Sequence, residues 1–358
     1  MGDKRALLIM LMILCSLLVA LSIIETVRAA EDSWVTLTPM PTARYGLGVA
    51  VVDGKIYAIG GFGRPLGPYT NINEMYDPTT DTWTTRTPMP SSRANFGIAV
   101  VQNKIYVIGG IGYVEGVLKY PSTIEVYDPV TDTWETKSSS ASPREFLVAN
   151  VVNGKIYVTA GYVDSGYFPI LVDRTEVYDP ETDTWTTGAS MPNFVGFGIA
   201  PNTASAVVDN EIYVVVHQTL RIYDPEIDTW SNGSSLLTPA LNGPAAFATT
   251  GVFAPKRVHV LAGNTHQIYD PETDVWSNGT QMPTPRIYLG GAVINDRLYA
   301  IGGSMGSVDQ ACNEQYTPYG YIPEFPSWTP LLVMLVAVLV VAVIYRRSLY
   351  KQNKGGVK

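Results

Sequence analysis

The sequence predicts an all-β fold built from repeats of one four-stranded unit, and three observations support this prediction. An eight-residue motif, Tyr-Asp-Pro-x-x-Asp-x-Trp, occurs five times and ends at Trp83, Trp134, Trp185, Trp230 and Trp276. Successive copies lie 51, 51, 45 and 46 residues apart. Short alternating apolar segments and glycine-rich turns separate them, without sustained helical periodicity. A fixed period of this length indicates stacked supersecondary units.

The first unit, from Arg44 to Trp83, illustrates how four strands are predicted in each repeat. Residues 46–52 are apolar, and residues 55–59 alternate polar and apolar side chains, so both segments are predicted strands. Asp53-Gly54 between them is typical of a two-residue hairpin turn. A third strand is predicted over residues 72–76. Asp77-Pro78 then begins a turn, and a fourth strand follows through Thr87. The unit is therefore predicted to be an antiparallel sheet.

The order of the recurring elements within the unit resembles the kelch repeat. Gly60-Gly61 follows the second strand, Tyr76-Asp77 comes next, and Trp83 follows. The resemblance covers roughly residues 34 to 318. Units 4 and 5 depart from it: Ala200 and Ala246 replace the arginine found at Arg44, and Val216-His217 and Ala262-Gly263 replace the Gly-Gly pair. The resemblance implies a β-propeller, in which each repeat forms one blade around a central axis.

The two ends of the repeat region complement each other. The sixth unit reaches Tyr316-Thr317-Pro318 and has no fourth strand after it, whereas residues 33–41 match the fourth strand of the first unit, residues 82–90. The sequence therefore predicts six blades, with the N-terminal strand closing the last one. Closure of this kind removes exposed sheet edges.

Residues that recur in every unit are predicted to hold the units together. The Gly-Gly pair permits close approach of neighbouring sheets, and the tyrosines and tryptophans are expected to pack between blades. One repeated series resembles an anion-binding ring but is interpreted as structural pairing: Arg44, Arg93, Arg144 and Arg286. A second series resembles a metal site but is interpreted as stabilising turns: Asp81, Asp132, Asp183, Asp228 and Asp274.

The N-terminus, residues 1–29, has the form of a secretory signal peptide. Lys4 and Arg5 precede an apolar stretch over residues 6–24, and Val27-Arg28-Ala29 places small residues at a cleavage point. The alternative is an uncleaved anchor. The repeat domain, residues 30–320, is then predicted to lie outside the cytoplasm.

The C-terminus predicts attachment to the cell membrane. Residues 321–327 form a linker whose Pro323-Glu324-Phe325-Pro326 resembles the PEF-type sorting signal of archaeal surface proteins. Residues 328–345 are long and apolar enough for a transmembrane helix, and the basic tail 346–358 marks the cytoplasmic side. Two outcomes remain open: a retained single-pass anchor, or processing with a lipid anchor in its place.

Charge and the variable loops indicate the class of function. Between Glu31 and Glu324 the chain has 30 acidic and 16 basic residues, which argues against a nucleic-acid partner. The loops between the second and third strands are longest in blades 1 to 3 and rich in aromatic residues. The candidate ligand-binding residues are Phe62, Arg64, Tyr69, Tyr113, Tyr120, Tyr162, Tyr167 and Phe168.

These features predict a binding module for a protein or a surface glycan, anchored to the membrane. We expect no metal site, because His217, His259 and His266 lack ligand spacing. We expect no catalytic residues and no cofactor, because the sequence shows neither a Ser-His-Asp arrangement nor a phosphate-binding loop. Asn232 and Asn278 lie in N-glycosylation sequons. The alternative function is a sugar-active enzyme of the mutarotase or hydrolase type, with a site at the propeller axis.

Overall fold

The computed structural model describes residues 30–63, 69–114, 116–137, 142–164, 169–192, 203–241 and 243–322, together with Arg346. The chain divides into two compact units, Met1–Tyr321 and Ile322–Lys358. The predicted signal peptide (1–29) and membrane span (328–345) lie outside the described residues. Within those residues, no helix has the length and apolar character needed to cross a membrane.

All regular elements in the described repeat domain are β-strands, as predicted. In chain order they are β1 (Ser33–Thr36), β2 (Gly48–Val52), β3 (Lys55–Ile59), β4 (Asn73–Asp77), β5 (Thr82–Arg86), β6 (Ser92–Ala94), β7 (Gly97–Val101), β8 (Lys104–Ile108), β9 (Ile111–Val114), β10 (Val117–Lys119), β11 (Ile124–Asp128), β12 (Thr133–Lys137), β13 (Val148–Val152), β14 (Lys155–Thr159), β15 (Tyr162–Asp164) and β16 (Pro169–Leu171). They continue with β17 (Thr175–Asp179), β18 (Thr184–Gly188), β19 (Thr203–Val208), β20 (Glu211–Val216), β21 (Thr219–Asp224), β22 (Thr229–Gly233), β23 (Ala245–Ala248), β24 (Val258–Ala262), β25 (Thr265–Asp270), β26 (Val275–Asn278), β27 (Gly290–Ile294), β28 (Arg297–Ile301), β29 (Ser304–Met305), β30 (Val308–Asp309) and β31 (Asn313–Thr317).

These strands form six four-stranded antiparallel sheets, which we number in chain order. Sheet 1 is β2-β3-β4-β5, sheet 2 is β7-β8-β11-β12 and sheet 3 is β13-β14-β17-β18. Sheet 4 is β19-β20-β21-β22, sheet 5 is β23-β24-β25-β26 and sheet 6 is β27-β28-β31-β1. The first strands of the sheets contact one another in a closed cycle, β2-β7-β13-β19-β23-β27 and back to β2. These strands therefore line a central axis.

The hydrophobic core lies between neighbouring sheets. Each of six buried clusters combines side chains from two adjacent sheets, including the seam between sheets 6 and 1. A tyrosine from the second strand of one sheet packs against the motif tyrosine of the next, as in Tyr57–Tyr127, with ring centroids 5.8 Å apart. Burial of apolar surface thus stabilises the assembly of sheets as much as each sheet.

The N-terminal strand completes sheet 6. Trp34 in β1 lies opposite Tyr316 in β31, and the antiparallel register runs from Ser33–Thr317 to Thr36–Glu314. This is the pairing predicted from the match between residues 33–41 and 82–90. The last sheet therefore contains segments about 280 residues apart in sequence.

The repeated Asp and Trp of the motif bind the preceding sheet, and we call this contact the Asp–Trp clamp. Asp81 Oδ1 accepts hydrogen bonds from the Tyr76 hydroxyl at 2.7 Å and from the Thr38 backbone N–H at 2.9 Å. Trp83 Nε1 donates to the carbonyl of the same Thr38 at 2.9 Å. Both backbone groups of one residue in the neighbouring sheet are therefore bound by a single motif.

The same clamp is present at five of the six seams between sheets, and residue 138, the corresponding position at the seam of sheets 2 and 3, lies outside the described residues. At four further seams, the backbone N–H of one residue donates to an aspartate and its carbonyl accepts from a tryptophan. These residues are Thr87, Ala189, Ser234 and Thr280. At the closure, Asp32 and Trp34 fill these roles, and Asp32 also accepts from Tyr316 at 2.6 Å. The aspartates therefore connect sheets as well as shape turns. Sequence analysis missed Asp32, although it lies two residues before Trp34, as Asp81 does before Trp83.

The long connections between the second and third strands carry structure that the sequence analysis treated as loops. β9 and β10 form a hairpin that also pairs with β6, and β15–β16 and β29–β30 form smaller hairpins. These connections and the sheet-to-sheet connections emerge on one side of the molecule, which we call the loop face. The tight turns emerge on the opposite side.

We predict that Asp32→Ala lowers the free energy of unfolding by about 1–3 kcal/mol, because the Thr280 N–H and Tyr316 hydroxyl lose their acceptor. Urea denaturation checks this. Asp81→Ala, which removes the same acceptor elsewhere in the ring, is the matched control and should show a similar loss. Exposed Asp173→Ala should show little change. An unchanged Asp32→Ala beside a destabilised Asp81→Ala would contradict a role for the clamp at the closure.

Candidate functional site

The repeated arginines form buried ion pairs, so they do not present a free anion-binding ring. Arg44 pairs with Glu74 at 2.5 Å, and Arg93 pairs with Glu125 at 3.1 Å. The other two pairs are Arg144–Glu176 and Arg286–Glu314. All four arginines are at most 1% exposed. Their position in the repeat predicted structural pairing, and the four glutamates are the partners.

The partner glutamates could have been found from sequence. Each lies two residues before the motif tyrosine, as Glu74 does before Tyr76. Sheets 4 and 5 lack both members of the pair: Arg221 and Gln267 occupy the glutamate position, and Ala200 and Leu241 occupy the arginine position. This joint loss within one chain is the signal that the two positions interact. The assignment of Ala246 from sequence was wrong, because Ala246 lies within β23 opposite Val260, as Val49 of sheet 1 lies opposite Ala58.

The Gly-Gly pairs hold the backbone of these arginines. Gly60 adopts φ of 59°, and a Cβ there would lie 2.6 Å from the Arg93 carbonyl oxygen. The next residue, Gly61, donates its N–H to that carbonyl at 2.9 Å. Only glycine permits this left-handed geometry at such close approach. The predicted close contact between sheets is therefore present here.

At the mouth of the axis on the loop face, backbone hydrogen bonds join one residue from each of five sheets, and we call these five residues the axial ring. Each N–H donates to the carbonyl of the residue in the preceding sheet: Gly46 to Tyr288 at 2.9 Å, Asn95 to Gly46 at 2.9 Å, Phe146 to Asn95 at 2.7 Å and Tyr288 to Gly243 at 3.0 Å. All five residues have positive φ, between 54° and 64°. The corresponding segment before β19, residues 193–202, lies outside the described residues.

Aromatic rings form a continuous series across this mouth, which we call the aromatic ladder. The centroid distances run Tyr113–Tyr69 5.7 Å, Tyr69–Phe62 5.5 Å, Phe62–Tyr45 5.0 Å, Tyr45–Tyr288 5.9 Å, Tyr288–Phe146 6.0 Å and Phe146–Tyr162 5.7 Å. Sheets 1, 2, 3 and 6 contribute to it. The rings are half-buried, and Tyr113 is 40% exposed. The ladder presents an aromatic surface on the loop face.

Four of the sequence-predicted ligand residues belong to this ladder: Phe62, Tyr69, Tyr113 and Tyr162. Tyr120 is half-buried directly after β10. The remaining three, Arg64, Tyr167 and Phe168, lie outside the described residues. Sequence analysis missed Tyr45, Phe146 and Tyr288, although each stands within two residues of a repeat arginine at a position that varies among units.

A buried carboxylate lies beside the ladder. Glu145 is adjacent to Phe146 in the chain, and Asn95 Nδ2 donates to Glu145 Oε2 at 2.9 Å. Burial, and after it the charge of Glu145, raises the pKa of both Tyr69 and Tyr288. These phenols are therefore neutral hydrogen-bonding groups at physiological pH. Within the described residues, no cluster of three His, Cys, Asp or Glu side chains could hold a metal ion.

The predicted glycosylation sites lie on exposed ends of strands. Asn232 in β22 accepts a hydrogen bond from Arg221, whereas Asn278 in β26 lines a cavity between sheets 5 and 6. Both asparagines are exposed and accessible to modification. Neither belongs to the aromatic ladder.

Two histidines are buried next to that cavity. His259 Nδ1 and His266 Nε2 lie 3.0 Å apart, and His266 Nδ1 lies 2.9 Å from the Thr280 carbonyl oxygen. Burial lowers the pKa of His266 to about 4 and holds the pKa of His259 well below its usual value. Both rings are therefore neutral at physiological pH.

Comparison with known protein families identifies the repeat. Residues 43–90, 92–140 and 143–192 each match the model of the Kelch motif. These three segments correspond to the units of sheets 1, 2 and 3. These matches support the kelch resemblance over residues 43–192.

Relatives and solved structures extend this result. Kelch-like protein 15 from Danio rerio is 30% identical over 206 residues, covering 51% of this chain and 32% of the relative. Kelch-like protein terF from Aspergillus terreus is 40% identical over 94 residues, covering 25% and 19%. The chain thus spans under a third of their length. The solved structure of YjhT superimposes with a TM-score of 0.64 at 17% identity, covering 78% of this chain and 96% of that one. This likeness supports a propeller-like all-β fold.

We predict that Glu74→Gln destabilises the protein by about 3–5 kcal/mol, because it leaves the Arg44 guanidinium buried without a counter-charge. Chemical denaturation measures the change. The matched variant Arg44→Met/Glu74→Gln removes the charge and reproduces the glutamine of sheet 5, Gln267. It should lose less stability than Glu74→Gln alone. A double variant less stable than the single one would show that the charge is not the determinant.

We also predict that the free energy of unfolding falls as pH decreases from 6.5 to about 4, since unfolded histidines bind protons in this range while folded His266 does not. The loss attributable to His266 is about 3 kcal/mol. Denaturation at a series of pH values tests this. The variant His259→Tyr/His266→Asn uses residues from equivalent positions, Tyr57 and Asn73, and should flatten the slope. An equally steep slope in that variant would assign the effect elsewhere.

Proposed function

We propose that this chain is a cell-surface-anchored, six-bladed β-propeller that binds a protein partner through the loop face of sheets 1 to 3. The observation that carries the proposal is the aromatic ladder. Half-buried tyrosine and phenylalanine rings in mutual contact provide rigid, amphipathic contact area, and such residues dominate the energy of protein interfaces. The kelch motif matches fall on the same three sheets, and kelch repeats support an interaction module.

The surroundings of the ladder favour a protein over a glycan. Val117 and Leu118 in β10 and Ile170 in β16 are exposed apolar residues on hairpins of the loop face. Exposed apolar groups of this kind mark interaction surfaces, and an apolar partner surface would remove them from water. A glycan would stack on the aromatic faces and hydrogen-bond polar groups, and it would offer little apolar surface to these three side chains. Glycan recognition is therefore an outcome of the test below.

The blade number and location in this proposal rest on separate observations. Six four-stranded sheets with first strands in a closed cycle support six blades. Location outside the cell rests on the sequence of residues 1–29 and 328–345, with the basic tail on the cytoplasmic side. An acidic outer domain disfavours nucleic acid as the partner.

Glu145 is the observation that favours the second candidate, a sugar-active enzyme with a site at the axis. A buried carboxylate beside aromatic rings can act as a general acid or base. Glycoside hydrolysis generally requires a second carboxylate. Glu74, Glu125, Glu176 and Glu314 are each bound to an arginine, so they do not supply it in this arrangement. Binding is therefore the better-supported function.

We predict that Tyr113→Ala/Tyr69→Ala weakens binding of the protein partner at least about 30-fold, as expected when interface aromatic residues are truncated. Quantitative capture of cell-surface proteins on immobilised full chain, with a glycan array in parallel, measures this. Val130→Ala, an exposed apolar residue on the tight-turn side, is the control and should bind normally.

Undiminished capture by the double variant would overturn the proposed surface. Loss of array binding with unchanged protein capture would assign the ladder to glycans. Conversion of a sugar substrate that Glu145→Gln abolishes would establish the enzymatic alternative. Melting temperatures recorded for every variant separate these outcomes from unfolding.

A further inference from the structure

The cavity between sheets 5 and 6 has a volume of about 320 Å³, near the lower end of the range for small-molecule pockets. Asp32, Arg257 and Pro318, which flank tight turns, form part of its lining. His259 also lines it. The cavity is therefore separate from the aromatic ladder.

An unusual residue at a repeated position explains why this seam has a cavity. In the other five sheets the position of His259 is tyrosine: Tyr57, Tyr106, Tyr157, Tyr213 and Tyr299. His259 keeps the contact that these tyrosines make with the next sheet, since its ring lies 5.8 Å from that of Tyr316. An imidazole is shorter than a phenol, so the outer part of the space is left open.

The hydrogen-bond network determines which nitrogen of His259 carries the proton. The Thr280 carbonyl can only accept, so His266 Nδ1 must donate to it. In the neutral ring, His266 Nε2 is then an acceptor, and His259 Nδ1 must donate to it across 3.0 Å. His259 Nε2 is left with a lone pair and has no hydrogen-bond partner among the described residues.

An unsatisfied acceptor in this position is costly unless a ligand supplies a donor. His259 is 1% exposed and His266 2%, so the acceptor is buried without a protein donor at the wall of the cavity. His259 Nε2 is therefore the polar group in the cavity lining that most requires a partner. A structural tyrosine at this position would not create that requirement.

The lining restricts the charge of the ligand. Arg257, which pairs with Asp270 at 3.0 Å, disfavours a cation close to His259. The carboxylate of Asp32 disfavours an anion at the other side of the cavity. Hydroxyl groups are neutral donors that satisfy His259, and Ser277 and Asn278 offer further hydrogen bonds. Tyr319, 75% exposed, provides an aromatic face against which a carbon skeleton can stack.

The walls of the cavity are held in place from sheet 6. Sheet 5 replaces the usual two-residue hairpin with a longer segment, residues 249–257, which contains the lining residues Pro255 and Arg257. The buried carboxylate of Asp296 accepts hydrogen bonds from the backbone N–H groups of Thr250, Phe253 and Ala254, at 2.6, 2.7 and 3.0 Å. The segment is therefore ordered without a ligand, which favours binding.

We propose that this cavity is a binding site for a neutral polyhydroxylated ligand of monosaccharide size, with His259 Nε2 accepting a hydrogen bond from a ligand hydroxyl. The site requires no covalent or redox step. It also does not depend on the loop-face function, because none of its lining residues belongs to the aromatic ladder.

Nuclear magnetic resonance of full-length chain carrying ¹⁵N-labelled histidine tests the proposal, in protein produced without N-glycans. The chain has three histidines, so His217 serves as an internal reference. Glucose, galactose and N-acetylglucosamine at millimolar concentration are the probes. We expect the free protein to carry its His259 proton on Nδ1, and we expect at least one sugar to shift the His259 Nε2 resonance while His217 stays unchanged.

His259→Tyr, the residue of the other five sheets, should weaken calorimetric binding of that sugar at least about tenfold, as expected for loss of one buried hydrogen bond. Tyr319→Ala removes the stacking face at an exposed position and should also weaken it, which keeps the test decisive if His259→Tyr does not fold. A proton on His259 Nε2, no shift with any sugar, or equal shifts of His217 would overturn the proposal. Capture of surface proteins is measured in a separate experiment, so a negative result there would not change the conclusion about sugar binding in this cavity.

Discussion

The Asp–Trp clamp is the interaction on which the ring of sheets depends. A carboxylate and an indole in one sheet bind the N–H and the carbonyl of a single residue in the sheet before it. Such a residue lies just beyond the fourth strand, where the ladder of that strand has ended and its backbone groups would otherwise need water. The clamp thus fixes both the distance and the angle between neighbouring sheets.

The clamp also explains why the N-terminal strand belongs to the last sheet. A ring has no terminal unit, so the seam at which the repeat domain begins and ends uses the same contact as the other described seams. Trp34 and Asp32 bind Thr280 in sheet 5, while Thr38, four residues after Trp34, is bound in turn by sheet 1. The N-terminal strand therefore binds sheet 5 through Asp32 and Trp34, and sheet 1 in turn binds it at Thr38.

The repeat period and the strand positions were predictable because they depend on local alternation and turn chemistry. Lys55–Ile59 was predicted with the bounds that β3 has. The axial ring and the aromatic ladder were not predictable as assemblies, because they join residues such as Tyr45 and Tyr288 that are far apart in sequence and share no motif. Their proximity follows from ring closure, which places the start of every first strand at one mouth.

The axial ring shows how one position can be fixed in its backbone and free in its side chain. Gly46, Asn95, Phe146 and Tyr288 share a positive φ and a hydrogen bond to the preceding sheet. Positive φ is unfavourable for bulky residues such as Phe146 and Tyr288. The surrounding hydrogen bonds hold them in that conformation, which directs aromatic rings to the mouth. Because the backbone is held by contacts that do not involve the side chain, exchange of the aromatic residues would alter recognition before it altered the fold.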